Sequence, residues 1–208
     1  AIAAFGGVGP VNVSYCQFDQ IGRVGVLYFN AGTTGGFNFN TYTAKGPGDW
    51  LDYALDIDAG PIVNVVGNVI SGNKGVASVD LSASAGVIIS TFFGGGTRTL
   101  LALNSITNNT DGVAVGFDSP DTSQVFLAAN NLTGNTHAGL SVVGGATVYP
   151  GQCGGTDVTG FGASGGGNNL TGYGFDNAAP WAIENLNAST NAGVLAFNYY
   201  YGGQANVK

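Results

Sequence analysis

Short stretches in which apolar and polar residues alternate recur along the whole chain. The clearest are residues 11–14, 55–58, 63–66, 113–115 and 140–142. A period of two residues with many β-branched side chains is the pattern of a half-buried β-strand. The alternation predicts an all-β protein.

A longer pattern is superimposed on these strands and occurs six times. A polar residue, usually Asn, leads into an apolar residue, then Ser or Thr, then Gly or Asn, and the clearest copies begin at Asn68, Asn104, Asn130 and Asn168. Self-similarity at a period of about 20 to 50 residues indicates stacked repeats. We therefore expect the apolar residues to lie one above another; they are Phe18, Tyr42, Ile70, Ile106, Leu132 and Leu170.

These repeats predict a right-handed parallel β-helix of about seven to eight coils, each with three short strands. The whole chain, residues 1–208, forms one such domain. The spacings between the apolar residues are 24, 28, 36, 26 and 38 residues, so the excess over about 24 is interpreted as loop, with a long Gly-rich insertion around residues 144–167. Asn68, Asn104, Asn130 and Asn168 are expected to stack as an amide ladder, and Gly72–Asn73 and Gly134–Asn135 are expected to form turns.

The amino-acid composition excludes some classes of partner and indicates where the protein is located. Only 8% of the 208 residues are charged and the net charge is −7, so the surface repels nucleic acid phosphates and anionic membranes. No apolar run approaches the roughly 18 residues of a membrane span, and we expect no membrane insertion. Low charge, many Gly, Asn, Ser and Thr residues and the absence of Met are typical of exported proteins, which predicts an extracellular or cell-surface location. The sequence begins at Ala1 without Met, so we expect a processed or excised segment.

The two cysteines, Cys16 and Cys153, are expected to remain unpaired. They lie about four coils apart in this interpretation, or roughly 19 Å at the spacing of neighbouring strands. A disulfide needs Cα atoms within about 7 Å.

The phrase at residues 68–73, the strand at residues 112–115 and the aromatic ending at residues 197–202 resemble the parallel β-helix repeat proteins of the pectate-lyase-like superfamily. The chain looks most like the non-catalytic repeat regions of large secreted or surface-anchored microbial proteins. This resemblance implies a fold and leaves the function open, because the superfamily includes lyases, hydrolases, adhesins and structural fibres.

The catalytic sets that the resemblance implies are not recognisable in the sequence. Lyases of the superfamily hold Ca²⁺ on acidic residues and use an Arg or Lys as base, but Arg23 and Arg98 stand in no recognisable motif. The hydrolases carry paired aspartates with Gly-His-Gly and Arg-Ile-Lys motifs, and neither motif is present. His137 is interpreted as an exposed turn residue, and we expect a protein that is not an enzyme.

Asp49, Asp52, Asp56 and Asp58 form the one dense group of carboxylates. If Leu55 and Ile57 point inward, Asp56 and Asp58 share the outer face of a strand. Two interpretations stay open: a calcium site made with a loop carboxylate, or solvated acids that prevent edge pairing. No cofactor is expected to be required, with calcium as the only candidate.

Both ends of the chain are apolar or aromatic, and the residues concerned are Ile2, Phe5, Phe197, Tyr199, Tyr200 and Tyr201. An open β-helix end exposes unpaired backbone groups, so we expect copies to dock end to end or flanking repeats to cover the ends. The predicted function is a non-enzymatic extracellular structural or adhesive protein, with a self-assembling filament as one form.

Two other functions are weighed against this one. The first is a carbohydrate-binding or polysaccharide-cleaving β-helix in which Trp50 and Tyr53, beside the acidic group, stack on sugars. The second is ice binding, supported only by the pairs Thr41 with Thr43 and Thr97 with Thr99.

Overall fold

Eighteen β-strands form in the part of the chain that the computed structural model describes, which is residues 1–7, 9–92, 94–118, 120–151, 166–173, 181–187 and 194–196. The strands are β1 (Ile2–Phe5), β2 (Pro10–Ser14), β3 (Gln17–Ile21), β4 (Val24–Phe29), β5 (Thr34–Asn38), β6 (Thr41–Gly46), β7 (Tyr53–Asp58), β8 (Ile62–Val66), β9 (Val69–Asn73), β10 (Ala85–Ser90), β11 (Arg98–Ala102), β12 (Ser105–Ile106), β13 (Asp111–Val115), β14 (Gln124–Ala128), β15 (Ala138–Val142), β16 (Thr147–Gly151), β17 (Trp181–Asn185) and β18 (Val194–Ala196). None of the described residues belongs to a helix long and apolar enough to cross a membrane.

The strands form three sheets in which neighbouring strands are parallel. The first sheet has the order β1-β4-β7-β10-β13-β15-β17, the second contains β2-β5-β8-β11-β14-β16-β18, and the third contains β3-β6-β9-β12. The chain visits the first, second and third sheets in turn before it returns to the first, and each circuit makes one coil. The protein is therefore a parallel β-solenoid, as the repeats predicted.

The predicted number of three-stranded coils, about seven to eight, is too high. Within the described part of the chain, only the first four coils contribute a strand to the third sheet, and the next two contribute the single bridges Ser105 to Asn131 and Asn131 to Asn169. The reason is local: Asn131 Oδ1 accepts a hydrogen bond from Thr133 Oγ1 at 3.0 Å, and Asn169 Oδ1 accepts one from Thr171 Oγ1 at 2.8 Å. Such Asn-based turns compete with extended backbone.

The predicted column of apolar residues forms the core beneath the third sheet. Phe18 pairs with Tyr42, Tyr42 with Ile70, and Ile70 with Ile106 in the strand register. The column continues upward, because the Leu132 N–H donates to the Asn169 carbonyl one residue before Leu170. All six side chains are buried, and the alignment is confirmed.

The predicted amide ladder is also present, and it is longer than predicted. The first ladder consists of Asn40, Asn68, Asn104, Asn130 and Asn168, all of them buried. The backbone N–H and the side-chain Nδ2 of each Asn both donate to Oδ1 of the next, at 2.8 to 3.1 Å. Each coil is thereby joined to the next by buried, fully paired amides.

A second ladder runs parallel to the first and was not predicted. It consists of Asn73, Asn109, Asn135 and Tyr173, which are buried. The same pairing links them at 2.8 to 3.3 Å, with the Tyr173 hydroxyl taking the place of the amide oxygen in the last coil. Gly72 and Gly134 do adopt positive φ as turn residues, but the Asn that follows each is part of this ladder.

The second residue of most strands in the first sheet is Gly or Ala, and these residues form a buried column of small side chains. Its members are Gly25, Ala54, Gly86, Gly112, Gly139 and Ala182. A Cβ on Gly86 would lie 2.4 Å from Ile106 Cγ2, and one on Gly112 would lie 2.5 Å from the Gly139 carbonyl oxygen. At Gly86 and Gly112 the surrounding atoms therefore leave no room for a side chain.

Two further sequence predictions concern segments that lie partly outside the described residues. Part of the predicted insertion at residues 144–167 is strand β16, which pairs with β14. Residues 152–165 lie outside the described part. Cys16 is exposed, whereas Cys153 is not among the described residues, so its state stays a prediction.

Candidate functional site

A groove with a volume of about 280 Å³ lies on the outer face of the first sheet. Its floor is built by β7 and β10, its acidic wall includes a loop between β9 and β10, and its rim is made by the turns that follow β10 and β13. It brings together carboxylates, one arginine and exposed aromatic rings. These side chains come from segments that are distant in sequence but lie on neighbouring coils, from the turn before β4 to the turn after β13.

Strand β7 supplies the central carboxylates. Leu55 and Ile57 are fully buried in the core, while Asp56 and Asp58 line the groove. Side chains alternate across a strand, so the prediction that the two aspartates share the outer face is confirmed.

Asp58 is held in place by its neighbours. Its Oδ1 accepts hydrogen bonds from Ser90 Oγ and from the Ala59 N–H, both at 2.7 Å. Ser90 lies directly opposite Asp58 in the pairing of β7 with β10. The carboxylate is thus almost fully covered and has a fixed orientation at the end of the groove.

Asp56 has an unusual acidity. Burial, together with the nearby Asp58 carboxylate, raises the pKa of its carboxyl group to about 7, although Arg23 lowers it. Desolvation and a like charge both disfavour the ionised form. Near neutral pH this carboxyl group of the groove is therefore only partly ionised.

This pKa predicts a pH dependence of stability. In the unfolded chain Asp56 titrates near 3.8, so between this value and about 7 the folded state binds more protons than the unfolded state. The free energy of unfolding therefore falls through this group as the pH rises across that window. We expect the Asp56→Asn variant to escape this loss, so that its stability relative to wild type increases from pH 4 to pH 7 in urea titrations.

Asp80→Asn is the matched control for this experiment. Hydrogen bonds from Ser82 lower the pKa of the exposed Asp80 carboxyl group, so its contribution has the opposite sign and is lost as the pH falls. A stability difference between Asp56→Asn and wild type that is the same at every pH would contradict the raised pKa.

The rim of the groove is aromatic. Phe92 and Phe117 are 49% and 56% exposed, and their rings meet edge to face with centroids 4.6 Å apart. Arg23 stands on the opposite side, in the turn between β3 and β4, and Asp80 and Ser82 enter from the loop before β10. The groove therefore combines an apolar lip with a mostly acidic interior.

The other two predicted metal ligands lie elsewhere. Asp49 accepts hydrogen bonds from the Ser78 N–H and Oγ at 2.7 Å, and Asp52 is fully buried with its Oδ1 accepting from the Arg23 N–H at 2.8 Å. Among the described residues no three His, Cys, Asp or Glu side chains are grouped so that they could hold a metal ion. The four aspartates do not form one centre, and calcium binding stays a prediction.

The two predicted sugar platforms have different surroundings. Tyr53 lines the groove, and burial raises the pKa of its phenol to about 12. Trp50 does not line it: the Lys45 ammonium covers one ring face at 4.1 Å, and the indole Nε1 is buried with no hydrogen-bond partner. The exposed rings at the groove are those of Phe92 and Phe117, which the sequence did not single out.

A second polar cluster surrounds His137, which is only partly exposed. Its Nδ1 lies 2.8 Å from Asp111 Oδ1, and its Nε2 lies 3.5 Å from Glu184 Oε2. Asp111 belongs to β13 and Glu184 to β17, so the histidine connects three consecutive coils. The interpretation of His137 as an exposed turn residue did not predict these contacts with Asp111 and Glu184.

The N-terminal edge of the solenoid is open in the described structure. Strands β1, β2 and β3 are the terminal strands of their sheets. On β1, Ile2 is 36% exposed and Phe5 is 59% exposed, with the Phe5 ring packed on Phe29 at 5.6 Å. The predicted C-terminal contacts Phe197, Tyr199, Tyr200 and Tyr201 lie outside the described residues.

The chain was compared with protein-family models, with curated proteins and with solved structures, and none of these comparisons found a match. The fold class therefore rests on the parallel sheets and on the shared core.

Proposed function

We propose that this protein is a non-enzymatic extracellular structural or adhesive β-solenoid whose copies stack end to end. The observation that carries the proposal is the open N-terminal edge, where three terminal strands coincide with exposed apolar side chains. A strand edge with free N–H and C=O groups pairs readily with another chain. Exposed apolar residues beside it add favourable burial when a second copy docks.

The interior of the solenoid supports a structural role. In the first and second ladders, buried Asn side chains donate hydrogen bonds from one coil to the next. A stack in which each coil contacts only its neighbours gains stability by adding layers. The resemblance to non-catalytic repeat regions of the pectate-lyase-like superfamily supports the same proposal, including the extracellular location.

Electron microscopy and sedimentation of the purified chain test this assembly. We expect concentration-dependent oligomers or fibres that disappear in the double variant Ile2→Lys and Phe5→Lys, because the added charges would be buried without partners at the junction. Val79→Lys is the control, since Val79 is 95% exposed in a loop away from β1. A chain that stays monomeric at all concentrations would overturn end-to-end stacking.

The second candidate is a carbohydrate-binding or carbohydrate-cleaving solenoid, favoured by the groove. Tyr53, Phe92 and Phe117 offer ring surface next to carboxylates, a combination that suits sugars. Incubation with polysaccharides and detection of new reducing or unsaturated ends would distinguish this candidate, because turnover is incompatible with a purely structural protein.

Ice binding has less support. Thr41 and Thr43 are exposed on β6, but Thr97 and Thr99 are fully buried. The Thr97 hydroxyl donates to the Ser90 carbonyl at 2.6 Å and is not presented to solvent. Only one of the two threonine pairs is available to order water.

A further inference from the structure

We propose that the groove on the first sheet binds an organic ammonium ligand, one or more protonated amines carried on an alkyl or sugar body. This proposal does not depend on end-to-end assembly. It rests on charge complementarity, on the distribution of the carboxylates and on the aromatic rim.

The lining of the groove is mostly acidic, which favours a cationic ligand. Asp56, Asp58 and Asp80 line it, and Arg23 is the only cation among the described lining residues. Asp80 is exposed and accepts a hydrogen bond from the Ser82 N–H at 3.0 Å, which favours its ionised form. The whole chain carries a net charge of −7, so an acidic ligand such as a uronate polymer is repelled both at long range and inside the groove.

The carboxylates are spaced in a way that favours an organic cation over a single metal ion. Calcium needs six to eight oxygen ligands at 2.3 to 2.6 Å around one point. Asp56 and Asp58 are two residues apart on one strand, about 6.6 Å along it, and Asp80 enters from a separate loop. Asp58 Oδ1 already accepts two hydrogen bonds. An elongated ligand can meet such separated charges in sequence, whereas one metal ion cannot.

The aromatic rim of the groove favours a ligand with an organic body. A cation is attracted to the face of an aromatic ring within about 6 Å of its centroid. Phe92 and Phe117 expose about half of their surface at the lip of the groove, next to Ile88 and Ser90 on its floor. Their rings would cover the carbon skeleton of the ligand while its ammonium group reaches the carboxylates. A strictly hydrophilic ion would gain nothing from this apolar lip.

Isothermal titration of the full chain at low salt tests the proposal with four probes. Spermidine and tri-glucosamine carry ammonium groups, tri-N-acetylglucosamine is the neutral analogue of the second, and tri-galacturonate is acidic. We expect binding of one or both ammonium probes and at least tenfold weaker binding of the other two. Preference for spermidine or for tri-glucosamine identifies the body that carries the amine.

Variants separate the groove from general attraction to an acidic protein. The double variants Asp56→Asn with Asp80→Asn, and Phe92→Ala with Phe117→Ala, are each expected to weaken binding of the preferred probe at least tenfold. Asp19→Asn removes an exposed carboxylate on β3, outside the groove, and should leave the affinity within about twofold. Spermidine should also bind more tightly at pH 8 than at pH 6, as Asp56 becomes ionised.

Three results would each overturn the proposal. One is the absence of binding by both ammonium probes at millimolar concentration. Another is equal binding of tri-glucosamine and its neutral or acidic counterparts. The last is an equal loss of affinity in Asp19→Asn and in the two groove variants, which would show that only the overall charge attracts the probe.

Discussion

Replacing Asn104 with alanine is expected to lower the free energy of unfolding by about 3 kcal/mol or more, because several buried polar groups lose their partners at once. Asn104 Oδ1 accepts from the Asn68 backbone N–H at 2.9 Å and from Asn68 Nδ2 at 2.8 Å. Its own Nδ2 donates to the Val65 carbonyl at 2.8 Å and to Asn130 Oδ1 at 2.9 Å. No water can replace these bonds without entering a closely packed coil.

Urea unfolding followed by circular dichroism measures this effect. Asn64→Ala is the control, because it is the same substitution at an exposed position of β8. It should alter the free energy of unfolding by less than about 0.5 kcal/mol. Equal losses in the two variants would show that the first ladder contributes nothing specific. A larger loss with unchanged folded spectra would support its role between coils.

The substitution Gly112→Ala is expected to cost about 2 to 3 kcal/mol, although it adds only one methyl group. The new Cβ would lie 2.5 Å from the Gly139 carbonyl oxygen and 2.7 Å from Asn135 Nδ2. Backbone of the neighbouring coil and a member of the second ladder would both have to move. Because the φ of Gly112 is not in the left-handed region, the cost comes from contact and not from backbone strain.

Gly96→Ala is the matched control for Gly112→Ala. A Cβ at Gly96 would have its nearest neighbour at 3.7 Å, an ordinary contact, and its φ is also outside the left-handed region. Thermal unfolding of both variants should show a clear decrease in Tm only for Gly112→Ala. If the two melt together, the close packing of Gly112 against the neighbouring coil does not limit stability.

The repeated phrase was sufficient to predict the solenoid and its central column. The apolar member of each phrase, from Phe18 to Leu170, has the same role in every coil, so its periodicity appears directly in the sequence. The first ladder was predicted for the same reason. The second ladder was not, because Asn73 and Asn135 follow glycines and resemble turn residues, and because Tyr173 replaces Asn in the last coil.

The groove could not be predicted to the same extent. Asp56 and Asp58 were recognisable from their alternation with Leu55 and Ile57 within one strand. Asp80, Phe92 and Phe117 belong to connecting segments of unequal length, and no repeat places them. Which of them meet depends on how far each loop extends over the sheet, and that is decided by tertiary packing.

The ladder asparagines also divide the chain into circuits of unequal length, 28, 36, 26 and 38 residues, that begin and end on the same bonds. From Asn104 to Asn130 the backbone makes one circuit in 26 residues. The circuit begins and ends at an Asn, and both asparagines make the same ladder hydrogen bonds. Both junctions would keep their geometry if such a segment were duplicated or deleted. Duplicating or deleting one such circuit is therefore expected to change the length of the molecule and to keep its architecture.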